Sequence, residues 1–222
     1  VSEQVSAPVT PDTPSTAEVE AERALTPRGE RTAARLRDGA RQVFAEHGFA
    51  NARVEDVVAL AGVSHGTFYT YYENKAAILD ALVDRAAGRL REVVAEPWEG
   101  EDVGAVIRDV IDRFVEALGE EGDVIGAWIE AAAHDDHFRE RLRAMRSEYT
   151  DTVASHLEPV LGGTPHDPTV AAGALVAMVE GYTTDRLAAA GSSERDAAVT
   201  TLAELWFGGL LRLGSGPPHG LG

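Results

Sequence analysis

The chain of 222 residues has no cysteine, a single lysine and two methionines, and only 6% of it is aromatic. Without cysteine there is neither a disulfide framework nor a thiolate metal site, a usage compatible with a reducing cytoplasm. No apolar run approaches the roughly 18 residues needed to span a bilayer. No basic, apolar leader opens the chain, so a cytoplasmic protein without a membrane partner is expected. Signatures of catalysis are missing as well: there is no Gly-rich phosphate loop, no G-x-S-x-G elbow and no H-E-x-x-H.

Positive charge is scarce. Twenty Lys and Arg face 37 Asp and Glu, a net charge of −17, which does not describe a protein held on DNA by charge alone. The distribution is uneven: residues 26–95 hold ten basic and nine acidic side chains, whereas residues 96–222 hold nine basic against 23 acidic. Acidity outside the near-neutral segment keeps a protein off non-specific polyanions by repulsion. Sequence-directed DNA binding remains open.

Within that near-neutral segment, Arg53 to Lys75 reads RVEDVVALAGVSHGTFYTYYENK. Val54, Val57, Val58, Leu60 and Ala61 recur at helical spacing and predict a short helix over about 54–61, ended by Gly62. Ser64 suits the N-cap of a second helix over 65–72. Two short helices joined by a three-residue turn containing glycine describe a helix-turn-helix, whose second helix enters the major groove. Ser64, His65, Thr67, Tyr69, Thr70 and Tyr71 all carry hydrogen-bonding groups on that helix, and Gly66 suits a close backbone approach. Phe68 is expected to be the core anchor. An aromatic turn buried in an ordinary bundle is the alternative, but a core would not select so many hydroxyls.

The run Ala61-Gly62-Val63-Ser64, then Gly66-Thr67-Phe68-Tyr69, then Tyr71-Tyr72 and Asn74-Lys75, resembles the DNA-binding signature of the tetracycline-repressor (TetR) family. The resemblance extends upstream through Phe44 and Gly48-Phe49 and downstream to Leu79. Elsewhere the chain resembles the family only in length and all-helical texture. One departure is Arg53, which stands where the family usually has Thr or Ser; its guanidinium can reach phosphate but cannot cap. The resemblance implies a regulator bound to a double-stranded DNA operator through Arg53, Ser64, His65, Gly66, Thr67, Tyr69, Thr70, Tyr71 and Lys75. Lys75 opposes the dipole at its helix start, which a DNA phosphate opposite would explain, and in the family the matching position contacts the backbone.

Taken in order, residues 1–25 are acidic, rich in Pro, Ser and Thr, and expected to be a disordered tail. A first helix over about 28–47 carries Leu36, Ala40, Val43 and Phe44, with Gly48 closing it and Arg28, Arg31 and Arg35 near its start. Asn74 caps a connecting helix over 75–95, and Pro97 and Gly100 mark a boundary. Helices then follow over 102–118, 122–133 and, from a cap at Asp135, to His156. Asp167-Pro168 opens another to about Ala190, and Ser193 with Asp196 opens the last, to about Leu213. The Gly- and Pro-rich tail, 214–222, is expected to be loose.

The fold class expected is all-α. An N-terminal three-helix DNA-binding domain with its connecting helix (26–95) precedes a C-terminal helical domain for ligand binding and dimerisation (96–213). The last two helices are apolar over more than one stripe. In the family they pair with their symmetry mates, which implies a homodimer through Leu175, Val179, Leu202, Leu205, Trp206 and Leu210. Aromatic and Met side chains from several helices, Trp98, Phe114, Trp128, Phe138, Met145, Tyr149, Met178 and Tyr182, could line a pocket for a small-molecule effector, although core packing accounts for any one of them. The cluster His134-Asp135-Asp136-His137, with Glu130 one turn earlier, has residues that could hold a metal, but a solvated helix junction with a capping aspartate is the favoured reading. No cofactor, metal or catalytic residue is assigned. The competing readings are a helical-bundle enzyme built on that cluster and an interaction module without ligand control.

Overall fold

The computed structural model describes residues 26–161, 163–184 and 192–214. Among these there are nine helices and no strand. They are α1 (Pro27–Asn51), α2 (Val54–Ala61), α3 (His65–Tyr71), α4 (Lys75–Ala95), α5 (Val103–Glu120), α6 (Gly122–Ala132), α7 (Asp136–Leu161), α8 (Pro168–Tyr182) and α9 (Ser192–Gly214). The expected tails, 1–25 and 215–222, lie outside the described residues.

Local chemistry sets most of the boundaries. Thr26 caps α1 through Gly29 N with Pro27 as the first helical residue, Asn74 accepts from Ala76 N and Ala77 N, and Asp167 accepts from Thr169 N and Val170 N. α1 differs from the expected helix in running on to Asn51, with a break at Gly48, where φ is 72°. α7 also exceeds expectation, passing through Pro159 to Leu161. Proline ordinarily breaks a helix interior, but Leu157 and Leu161 continue the buried stripe of Phe138, Leu142, Met145 and Val153, and packing overrides the local preference. α8 ends at Tyr182; the expected continuation to Ala190 falls mostly on residues that are not described.

One apolar core runs through the molecule, from Leu36, Phe44 and Phe68 by way of Leu79 and Leu90 to Trp128, Leu157 and Trp206. α2 packs on α1 and α3 on α2. α4 leaves this group and lies against α5, α6 and α7, while α6 packs along α1, α8 against α7 and α9 against α5. The small N-terminal group is therefore attached to the larger bundle by α4 and by the α1–α6 contact. No described helix is long and apolar enough to cross a membrane.

Candidate nucleic-acid interface

α3 projects from the N-terminal group on a turn of defined geometry. Gly62 takes a left-handed conformation (φ 61°, ψ 42°), which a side chain would strain. From α1, Arg35 donates to the carbonyls of Ala61 and Gly62, capping the end of α2. Ser64 then caps α3: its Oγ accepts from Thr67 N at 3.1 Å and shares a hydrogen bond with Thr67 Oγ1 at 2.9 Å. Arg53 precedes α2 in extended conformation and makes no side-chain cap bond.

The faces of α3 divide cleanly. Phe68 is fully buried, edge-on to Tyr69 and tilted against Tyr72. Tyr71 is partly buried and packed on the core, so its ring serves as much to mount the helix as to reach outward. Arg53, Ser64, His65, Gly66, Tyr69 and Thr70 are exposed and Thr67 partly so. Thr70 Oγ1 donates to Gly66 O at 3.0 Å. Arg37 donates to the Tyr72 hydroxyl at 3.3 Å, tying α1 to the end of the motif.

Lys75 has a different position from the one expected of a phosphate contact. Its ammonium donates to the carbonyls of Phe49 (2.8 Å), Ala50 (2.9 Å) and Ala52 (3.2 Å), and lies 4.8 Å from the centroid of the Phe49 ring. An ammonium has three protons, and three carbonyls take them. The charge that opposes the dipole of α4 is thus compensated by the carbonyl end of α1, and Lys75 acts in this structure as an internal clasp.

The segment that Lys75 clasps is gripped from the other side by α6. Glu130 accepts from Phe49 N (2.5 Å) and Ala50 N (3.2 Å). Gly48 is left-handed at φ 72°, which a side chain would strain, and a Cβ there would lie 2.8 Å from that carboxylate and push the Glu130 side chain aside. Phe49 also meets Phe138 of α7 edge-on at 6.0 Å. At the opposite end of α6, Arg41 of α1 makes a two-pronged contact with Asp123 (2.8 and 2.6 Å), donates to Glu120 O (2.6 Å) and pairs with Glu121. Hydrogen bonding to Asp123 raises the Arg41 pKa above its ordinary value, despite the opposing effect of burial. Nothing in the local sequence signals Arg41 or Glu130; their partners lie about eighty residues away.

Residues 36–82 match the profile described as bacterial regulatory proteins, tetR family, and residues 101–206 the profile of the C-terminal part of BetI-type transcriptional repressors. The HTH-type transcriptional repressor AcnR of Corynebacterium diphtheriae is 30% identical over 146 residues, covering 57% of this chain and 75% of that protein. This chain belongs to the tetR family. It is accordingly a DNA-binding transcriptional regulator and not an enzyme. The regulator UidR of Escherichia coli is 29% identical over 99 residues, a match to 42% of this chain and 48% of UidR. Among solved structures, Salmonella enterica GusR superposes with a TM-score of 0.70 at 21% identity, covering 84% of this chain and 98% of that one. A TetR-like regulator from Rhodococcus superposes at 0.66 with 26% identity, covering 81% and 96%.

In this tetR-family chain the eight side chains considered for an effector pocket do not line one space. Phe114 and Tyr149 border a small internal void. Trp128 is buried and donates to Phe138 O at 3.0 Å, and Met145 is core. Trp98 stacks on His156, while Met178 and Tyr182 line an open groove between α8 and α9. The six side chains considered for dimerisation also separate. Val179, Leu202, Trp206 and Leu210 are buried within the chain, Leu175 is partly buried, and Leu205 is exposed. Those four face the chain's own bundle, while Val170 and Tyr182 of α8 and Leu205 and Leu211 of α9 remain exposed.

The histidine-acid cluster is dispersed by its surroundings. His137 Nε2 lies 2.9 Å from Asp80 of α4, which also receives Arg141; Asp136 pairs with Arg139, and Asp135 accepts from His137 N. Among the described residues no group of three or more His, Cys, Asp or Glu could hold a metal.

Proposed function

We propose that this regulator is a ligand-responsive repressor that works in the cytoplasm as a homodimer. Two copies of α3 read the halves of a palindromic operator, and a small apolar or amphipathic effector releases them. Residues 26–95 form the reader, and residues 96–213 the effector and dimerisation part. The observation that carries this reading is the exposed, hydroxyl-rich face of α3 on a turn held by Arg35, Gly62 and Ser64. The repressor sense rests on the names of the relatives and of the matching C-terminal profile.

Within that reading, His65, Gly66 and Thr67 at the start of α3 meet base edges. Ser64 aims the Thr67 hydroxyl, and Tyr69, Thr70 and Arg53 meet the sugar-phosphate backbone. Release follows if the effector prefers a state in which the two readers no longer match the half-sites. α4 and the Arg41 and Glu130 contacts of α6 give the bundle two routes to the reader. A coupling of about 1–3 kcal/mol is expected, and DNA must weaken effector binding by the same factor.

His65→Ala and Thr67→Ala test the base contacts. Each lost contact should cost about 1–3 kcal/mol on the operator and less on a scrambled duplex. Equal weakening on both would move these residues to phosphate positioning. Tyr69→Phe should weaken both duplexes with little change in salt dependence, because the lost contact carries no charge.

A further inference from the structure

The chain joins α1–α3 to the bundle only through α4, but α6 packs along α1 and grips it at two points. Near the start of α6, the Arg41 fork meets both oxygens of Asp123 and the Glu120 carbonyl. The same guanidinium pairs at 3.0 Å with Glu121, which is 8% exposed and the one buried charged side chain among the described residues. Arg89 of α4 approaches that carboxylate at 3.9 Å. Helices α1 and α4 thus meet the α5–α6 corner on one buried charge. Near the end of α6, Glu130 accepts from Phe49 N and Ala50 N, just past the break in α1 at Gly48. Seven residues separate Asp123 from Glu130 and eight separate Arg41 from Phe49. The two anchors therefore stand roughly 10–12 Å apart along either helix.

Apolar packing is non-directional and lets one helix slide or roll on another. Charge-assisted hydrogen bonds are short and geometrically specific. One such anchor leaves a pivot; two, spaced along the helix, remove slide and tilt together. What they hold is the direction in which the bundle presents α3. In a two-fold pair any displacement of one reader is repeated in its mate, so the separation of the readers changes by twice that amount. One base pair is about 3.4 Å of duplex and about 35° of turn. A slack of a few ångströms in the attachment is enough to change which spacing both readers can meet.

We infer that Arg41 and Glu130 are positioning residues that set the half-site spacing this protein accepts, a part of its operator specificity that lies outside α3 and touches no base. The inference rests on the reading of the chain as a homodimer on a palindromic operator. Base identity is read by α3; the distance and phase between the two reads are held by the α1–α6 anchors. Linked binding is strongest when the two modules match the span, and is lost when geometry forbids simultaneous engagement. A rigid attachment gives a high, narrow optimum of spacing. A loose one gives a lower, broader optimum, because freedom must be given up on binding.

The test takes the inverted pair of half-sites that the wild type selects from random duplex DNA. Duplexes are then made with one or two base pairs added to or removed from its centre. Anisotropy should show the wild type losing about a hundredfold or more in affinity for a one-base-pair change. Arg41→Met with Glu130→Ala should bind the selected spacing about tenfold more weakly, yet lose only about threefold more on the altered spacings. Its preference for intact over scrambled half-sites should not change. Glu130→Gln keeps an acceptor oxygen and should stay near the wild-type profile. If the double variant does not fold, Glu130→Ala and Asp123→Asn, which weakens the Arg41 fork without changing its size, should each broaden the profile in part. A wild-type profile in the variants, or equal weakening at every spacing, overturns the inference and leaves the two anchors with a role in stability alone. A wild type that tolerates all spacings equally overturns it too, while the dimer reading stands. Selection of no inverted pair by the wild type removes that reading and the inference together.

Discussion

Leu205→Glu is expected to give a monomer that no longer binds the operator tightly. Leu205 is 58% exposed, the most outward of the large apolar side chains on α9. Around it lie Ala197, Thr201, Gly208 and Gly209, all exposed, and across the groove Gly181 and Tyr182 of α8. Small side chains flanking one large apolar residue let helices of a second copy approach closely. A charge at the centre of such a contact would be desolvated without a partner. A monomer keeps one half-site and loses the advantage of linked binding, so operator affinity should fall on the order of 10²–10⁴-fold. Sedimentation and anisotropy on a labelled operator read the two effects. Leu210→Glu makes the contrast: Leu210 is 5% exposed inside its own chain, so that variant should lower the melting temperature rather than split a folded dimer. A Leu205→Glu protein that remains dimeric with full affinity would place the interface elsewhere.

Lys75→Ala is expected to loosen the reader without removing a DNA charge contact. The variant strips three carbonyls of the α1 end of their ammonium. Hydrogen bonds to a charged group contribute about 1.5–3 kcal/mol net, so a loss of that order in stability is expected. Operator affinity should drop because α4 and α1 lose their fixed relation, while the slope of log affinity against log salt stays unchanged. A phosphate contact would instead lower that slope by about one unit. Glu130→Ala acts on the same turn from the other side, leaving the Phe49 and Ala50 amides unpaired at a cost of about 1–3 kcal/mol. Because both side chains hold one segment, the double variant should deviate from additivity by about 0.5–3 kcal/mol. Additive losses would mean that the two ends of the turn are independent.

The contrast between these residues and α3 explains what the sequence could tell. α2, α3 and α4 were legible almost to the residue because local punctuation sets them: Gly62 must be left-handed, and Ser64 and Asn74 are capping side chains acting within three positions. The all-helical fold followed from the same signals. Glu130 on Phe49 and Arg41 on Asp123 were invisible, since periodicity within a helix says nothing of a partner about eighty residues distant. The stripes of α8 and α9 were read correctly as apolar on more than one side, but a stripe does not state which body it faces. Val179 and Trp206 turned inward. Aromatic content likewise could not separate the rings that border the void, Phe114 and Tyr149, from Trp128, whose N–H is already bonded to Phe138 O. The unfavourable charge of Lys75 at its helix start was legible; the carbonyls that compensate it come from the end of α1, three elements earlier.

Selection of bound sequences from random duplex DNA by the full chain is the most direct measurement. The account predicts one enriched motif with two inverted half-sites, their centres one helical turn or somewhat more apart, as a two-fold pair of α3 helices requires. The information content should fall in both halves together when His65→Ala or Thr67→Ala replaces the wild type. Enrichment of no motif, or of a single asymmetric site unaffected by those substitutions, would contradict it.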